Sequence, residues 1–471
     1  MHRDGRSAGQ VLRSLAAPIY IPTVLEASGE TALLPVVPLL ALSLGFTVPQ
    51  AAALTMIAGV AAVLGPIPVA RLMGWVGTRR AIVGSGLLLT AGNLAALLVI
   101  GQVLRDGAEP YHRWALVLLL VLVAATSQVW ALGRQAYLGT ALPPQMRARG
   151  MTTFGGMLRI GQVVGPLLGA GVLAIGHEAW VFGLFALLTL SATTMVALFL
   201  LPGEDEVPGP EGSRTAAGPD ADGTEPDPVT GDDATPGVGD EGDLDDAVEE
   251  HARAAGPPGG ADRTSGAPPG ADDDASSARD VLGRMVRLGL GVTPIMMGRI
   301  NRPVIVPLLG AGLGLDAATI SVIFGVSAVL EIILFVPAGI VMDRWGRAAV
   351  AVPCSLIMGA GYLLLAVMAS AADASGALLA LLIPSLLIAF GNGLGSGIVM
   401  TLGIDVSPER GRTRYLAWWN SMIGIGRLSA PLLVAGVAAV APVALAGALS
   451  GALCLIGGAW LARELPRVTP S

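Results

Sequence analysis

Residues 143–174 read PPQMRARGMTTFGGMLRIGQVVGPLLGAGVLA, and residues 407–439 read SPERGRTRYLAWWNSMIGIGRLSAPLLVAGVAA. Each stretch opens with arginines near a proline and continues as a run of apolar and small residues. Shifted by 265 positions, Pro143 falls on Pro408, Arg147 on Arg412, Arg149 on Arg414, Gly161 on Gly426 and Pro166 on Pro431. At a rise of about 1.5 Å per residue, a helical run of about 20 apolar residues crosses a hydrocarbon core of roughly 30 Å. In lipid every backbone N–H and C=O must be bonded internally, and these runs are too long for barrel strands, so helices are the form expected. The matched pair marks an internal duplication of membrane-spanning helices.

Composition points the same way. Of the 471 residues 53% are hydrophobic and 13% charged, with a mean hydropathy of +0.69, whereas soluble chains carry about 25% charged residues. Apolar runs fall at 18–44, 49–73, 81–104, 114–140, 152–176 and 179–201, then at 284–312, 317–342, 348–370, 376–404, 415–439 and 441–462. The expected fold is therefore all-α, with twelve transmembrane helices in two six-helix, pseudo-symmetric halves. A second alignment supports it. Shifted by 269, Pro38 falls on Pro307, Leu39 and Leu40 on Leu308 and Leu309, and Gly45 on Gly314.

The acidic net charge of −7 is local in origin. Residues 202–280 hold 22 of the 35 acids and 4 of the 28 basic residues, a net of −18, leaving +11 for the remainder. This stretch is rich in Pro, Gly, Ala and Asp and has too little apolar surface to offset the entropy of ordering, so a disordered linker is expected. The division is a polar N-terminus at 1–17, a helical bundle at 18–201, the linker at 202–281, a second bundle at 282–462 and a tail at 463–471. Arginine fixes the orientation, since the chain has no lysine. Arg71, Arg79, Arg80, Arg147, Arg149, Arg344, Arg347, Arg410, Arg412 and Arg414 lie in loops on one side, against Arg105 and Arg113 on the other. By the excess of positive charge on the inner side, both termini and the linker are expected in the cytoplasm, with the chain multi-pass in the cell membrane.

Between the eighth and ninth runs stands Gly339-Ile-Val-Met-Asp343-Arg344-Trp-Gly346-Arg347. This resembles the loop pattern G-x-x-x-D-R-x-G-R of the major facilitator superfamily at every fixed position. The likeness covers essentially the whole chain outside the linker. It implies alternating-access transport and a cytoplasmic gate built on Gly339, Asp343, Arg344, Gly346 and Arg347. Asp343 would end a helix, where the macrodipole disfavours an anion, so it needs a cation or a helix N-terminus nearby. The family arrangement implies span five, near Arg147 and Arg149. A plain topology anchor is the alternative. The first-half equivalent, GPIPVARLMGWVGTRRAI, lacks the aspartate. In span five, Gly161, Gly165, Pro166 and Gly169 resemble the G-x-x-x-G-P-x-x-G-G element of drug–proton antiporters in that superfamily, with Ala170 in place of the last glycine. Close helix packing beside a proline bend is the structural alternative.

Charges inside the spans carry the remaining signal, because an ionisable group at the bilayer centre costs about 2.5–3.5 kcal/mol on insertion scales. Glu26 and Glu30 in span one are spaced i, i+4 and share a helix face, and two close carboxylates in a low dielectric resist joint ionisation. Span seven carries Arg299 and Arg302, and the 269 offset places Arg299 on Glu30. The resemblance implies that spans one and seven line a central cavity, so Glu30 and Arg299 are expected to approach each other across it. Glu331 in span eight is a second proton-site candidate or an arginine's partner, and Arg134 in span four is either cavity-lining or an interface anchor.

Cys354 and Cys454 lie in apolar runs and are expected to be buried thiols. No phosphate-binding loop, metal-ligand spacing or nucleophile elbow occurs, so no enzyme, cofactor, metal or nucleic-acid role is expected. The expected partners are a small-molecule substrate, protons and the lipid bilayer, with the protein a monomer. The function expected is proton-coupled efflux of a small organic compound or drug. Metabolite import, or a non-transporting sensor on the same fold, are the alternatives.

Overall fold

Prolines and glycines cut the helices at defined places. The computed structural model describes residues 13–107, 109–142, 144–200, 271–408 and 412–468. The expected linker lies almost wholly outside them. By backbone contacts the chain divides into Met1–Val207 with Arg279–Ser471 as one compact unit and Pro208–Ala278 as another, and the first unit is the membrane bundle. Span one begins with a π-helical turn, Ala16–Tyr20, and continues as Ile21–Leu33 and Val36–Ser43, bent by 40°. Pro35 and Pro38 flank the bend, where the missing N–H groups interrupt the helical ladder. Span two is broken twice, into Val48–Leu54, Met56–Leu64 and Pro66–Val76, and turns by 58° at Gly65–Pro66. Spans three to six are Thr78–Asp106, Pro110–Ala141, Pro144–Ile175 and Ala179–Phe199.

The second half opens with the helix Ala271–Gly312, whose first residues fall in the stretch expected to be linker. Ala317–Trp345 and Ala348–Ala371 follow as spans eight and nine. Span ten is Ala377–Leu394 and Ile398–Val406, interrupted where Gly397 takes φ 86°. Arg412–Ala438 and Val443–Val468, spans eleven and twelve, complete the bundle. Among the described residues nine helices are long and apolar enough to cross a membrane, or eleven with the two bent pairs. Span seven, Ala271–Gly312, falls outside that set and is the one that carries Arg299 and Arg302.

The duplication is visible in backbone geometry. Gly45 and Gly314, 269 apart, take φ 77° and 78°; Gly77 and Gly346, also 269 apart, take φ 84° and 81°. The helices after the first pair start at equivalent positions, Thr47 and Asp316. The Thr47 N–H donates to Gln50 Oε1, and Asp316 Oδ1 accepts from the Thr319 N–H. Carried through Gly77, this register places Gly74 at the position of Asp343 and Thr78 at that of Arg347.

Among the described residues the apolar cores of the two halves merge at one end and stay apart at the other. At the end distal to the termini a single apolar cluster draws on both, with Leu40, Ala52 and Phe185 from the first half and Ile305, Ile320 and Val434 from the second. At the end bearing the termini the cores are separate. One holds Ile82, Trp130 and Val196; the other holds Met285, Leu402 and Trp419. Close contacts between halves run along spans five and eight, and where span eleven packs on Val48–Leu54 and Met56–Leu64.

Candidate functional site

Span five is held directly against span one by its small residues. A Cβ built on Gly161 would lie 2.9 Å from the Val24 carbonyl oxygen, and one on Gly165 would lie 2.3 Å from that of Ser28. Gly169 has Ala32 Cβ at 3.3 Å from the same position. The Thr31 hydroxyl crosses the seam and donates to the Gly161 carbonyl at 3.2 Å. The span-five motif is thus the packing seat of the helix that carries Glu26 and Glu30.

Those two carboxylates, one turn apart, have different surroundings. Glu26 turns into the first bundle, where Arg134 Nη2 donates to its Oε2 at 2.8 Å. The side chains are 3% and 0% exposed. Arg134 Nη1 also donates to Thr23 Oγ1 at 2.9 Å, and the guanidinium lies 5.1 Å from the Trp130 ring centre and 5.9 Å from that of Phe154. Arg134 is therefore neither an interface anchor nor exposed to the cavity. It neutralises Glu26 inside the bundle. Glu30 is exposed, and it faces a cavity between the halves.

That cavity has a volume of about 480 Å³. Its polar lining is Glu30, Thr55, Ser127 and Gln128 from the first half and Arg299 and Arg427 from the second. Leu33, Leu54, Leu120, Val123, Phe185 and Val304 line it and also belong to the shared distal core, which therefore forms its wall on that side. No equivalent shared core lies toward the termini among the described residues. Arg299 Nη2 donates to the Gly395 carbonyl at 2.7 Å, while its buried Nε has no hydrogen-bond partner. Glu30 and Arg299 both line this cavity. Among the described residues no ion pair joins them, and Arg427 has no ion pair either.

The second half has its own paired charge. Arg302 donates to Glu331 Oε1, Asn392 Nδ2 donates to Glu331 Oε2 at 2.8 Å, and the Arg302 guanidinium sits 5.2 Å from the Phe324 ring centre. Arg159 of span five lies 4.3 Å from the ring centre of Phe335 in span eight, a cation–π contact between the halves. Each half therefore pairs one intramembrane acid with its own arginine, Glu26 buried and Glu331 partly buried, while Glu30 faces the cavity.

In the loop motif, Arg347 Nε donates to Asp405 Oδ2 at 2.8 Å, and Arg347 Nη1 lies 3.7 Å from Asp343 Oδ1. The Asp343 side chain is 79% exposed. The expected partners Arg147 and Arg149 have side chains outside the described residues. On the first half Arg79 donates from Nε to the Leu200 carbonyl at 2.9 Å and from Nη2 to that of Ala197 at 2.7 Å. It thus caps the C-terminal end of span six, where a cation is favoured.

Some cavity residues were not legible as such. In the sequence Arg427 is one more arginine in an apolar run, and Gln128 one more amide. Their signal is the polar group itself; which face it occupies depends on how span eleven leans on the broken span two. Cys354 and Cys454 are buried and free.

The Major Facilitator Superfamily family model matches residues 19–247 and 288–471. No curated protein matches the sequence significantly. Solved structures share the fold at low identity. A POT family transporter in complex with a thioalcohol-conjugated peptide has a TM-score of 0.65 at 12% identity, covering 97% of each chain. A peptide transporter POT in complex with sulfate has a TM-score of 0.64 at 13% identity, covering 99% of this chain and 96% of its own. A D-xylose–proton symporter has a TM-score of 0.61 at 12% identity, covering 98% of this chain and 99% of its own.

Proposed function

Because the chain belongs to the Major Facilitator Superfamily, we propose that it is a proton-coupled secondary transporter moving a small organic compound by alternating access, with Glu30 as the proton-binding carboxylate. The observation that carries this is the contrast among the intramembrane acids. Glu26 and Glu331 are held by Arg134 and Arg302, whereas Glu30 stands in the cavity with no ion partner among the described residues. A carboxylate that is to load and release protons must be reachable from the cavity and not locked to a permanent cation. With the orientation expected from arginine bias, the side of the cavity without a shared core faces the cytoplasm. Asp343 and Arg347 sit at that side as the gate whose contacts change when it closes.

The direction of movement turns on whether substrate and proton compete or cooperate at Glu30. Efflux of a drug-like compound by exchange is the function that the span-five element suggests. It requires the substrate to displace the proton. Import together with a proton is favoured by a different observation, the two guanidinium groups that share the cavity with the single carboxylate. Protonating Glu30 takes the fixed charge of the site from +1 to +2, which strengthens the hold on an anion. By linkage the anion then strengthens the hold on the proton.

Reconstitution in liposomes with an imposed pH gradient tests the assignment. Substrate-dependent proton flux is expected in the wild type and absent in Glu30→Gln. Unaltered flux in that variant refutes the role of Glu30. The sign of the flux relative to substrate movement separates exchange from co-transport.

A further inference from the structure

The broken second span leaves a second cavity beside the first. It has a volume of about 640 Å³ and lies between span two and span four. Met56, Val60, Leu64, Leu72, Val121 and Val129 give it an apolar wall, and Gln128 is its single side-chain amide. Ile57 and Gln128 line both this groove and the central cavity, so the two spaces adjoin. The segment between them, Met56–Leu64, has no buried residue, and Leu64 and Ile67 at the 58° bend are two-thirds exposed. The repeat counterpart in the second half, Ala317–Trp345, runs unbroken for 29 residues and packs along span five. The break beside the groove is thus a feature of one half, at Gly65, Pro66 and Pro68 in span two.

We propose that the cargo is an amphipathic organic anion. Its charged head sits between Arg299 and Arg427, and its apolar tail runs past Ile57 and Gln128 into the groove between spans two and four, which it enters from the bilayer. The head is fixed by charge complementarity. Two guanidinium groups face the cavity, one with a buried Nε lacking any partner and the other with no ion pair among the described residues. A guanidinium pair suits a carboxylate, sulfonate or phosphate head. The tail is fixed by composition, because a groove with one amide and otherwise apolar walls holds an alkyl chain and gives a polar cargo nothing to bond. Entry from the bilayer follows from the 58° bend, where Leu64 of the groove wall and the neighbouring Ile67 are exposed on the outer face of the bundle.

The proposal rests on the transporter assignment above, and its test is separable from it. The probes are n-alkyl sulfonates from butane- to decanesulfonate, which stay anionic and do not cross the bilayer as neutral acids. Binding is measured calorimetrically on the full chain in lipid nanodiscs, after subtraction of empty nanodiscs. Affinity is expected to rise by up to about fourfold for each methylene buried in the groove. Arg427→Gln should weaken every member of the series, by about tenfold or more. Ala125→Phe, which fills the groove away from the charged groups, should leave butanesulfonate binding intact and abolish the gain from chain length. Intact butanesulfonate binding also shows that the variant is folded. A chain-length gain that survives Ala125→Phe means partition into lipid and overturns the proposal, as does binding that is indifferent to Arg427→Gln. Chain-length dependence without proton flux would leave this inference standing and remove the coupling role of Glu30. Proton flux with another compound and no sulfonate binding would do the reverse.

Discussion

Replacing Arg134 by leucine strands the Glu26 carboxylate inside the first bundle. The carboxylate and guanidinium are 3% and 0% exposed, so neither can turn to water without moving a helix. Removing one partner of such a pair costs about 3–5 kcal/mol, because the other charge is left buried and alone. Glu26→Gln falls toward the lower end, about 3 kcal/mol. The guanidinium keeps Thr23 Oγ1 at 2.9 Å, the Trp130 carbonyl at 3.3 Å and two aromatic faces. Arg134→Leu falls higher, at about 4 kcal/mol, because the acid keeps no cation and Thr23 also loses its donor. The double variant leaves no charge buried and should cost no more than Arg134→Leu alone, a coupling of about 3 kcal/mol. The singles also differ with pH. A stranded carboxylate can be relieved by taking a proton, by at most about 1.4 kcal/mol per unit as pH falls. A guanidinium has no such outlet. The assay is a double-mutant cycle by denaturant unfolding in mixed micelles, repeated at two pH values. Additive single costs, with the double near about 7 kcal/mol, would refute the claim that Glu26 and Arg134 form one structural unit; that total is the sum of the two single costs.

Further predictions test the packing, the repeat and the loop motif. Gly165→Ala should destabilise by about 1–3 kcal/mol, since its Cβ would meet backbone of span one at 2.3 Å, and unchanged thermal unfolding would remove the close seam. Hydrogen bonds from the Thr319 backbone and hydroxyl hold the Asp316 carboxyl below its ordinary value, and this group lies in the loop before span eight. With its folded pKa depressed, Asp316 contributes stability that is present above its unfolded pKa and lost as pH falls through the folded value. Asp316→Ala should therefore cost about 1 kcal/mol at neutral pH and less in acid, read from thermal unfolding at both. Arg347→Gln breaks a part-exposed pair with Asp405. It should change stability by no more than about 1 kcal/mol, while shifting the accessibility of the cavity to a cysteine-reactive probe placed at Ser127→Cys. An unchanged labelling rate in that background would leave the loop a topology anchor only.

Most of the fold was legible because lipid permits so few solutions. Apolar runs of twenty or more residues must be helices, and the match of residues 143–174 with 407–439 implies two related halves. The offset of 269 found in the first spans reappears as paired glycine dihedrals at Gly45 and Gly314 and at Gly77 and Gly346. The intramembrane charges were also legible, because their insertion cost makes each conspicuous. Their partners were not. Glu26 and Glu30 share a sequence environment and a helix, yet one is locked to Arg134 and the other faces the cavity, because a step of about a hundred degrees per residue places i and i+4 only roughly in line. The bends in spans one and two then decide what each meets. Arg299 falls on Glu30 by repeat and shares its cavity, but its hydrogen bond goes to Gly395, a buried backbone carbonyl at the end of the helix where span ten breaks. Sequence alone determined that this is a duplicated bundle of membrane helices with charges to place. Tertiary structure decided which charges cancel within a half and which are left for the cavity, because pairing depends on distances between helices that are far apart along the chain.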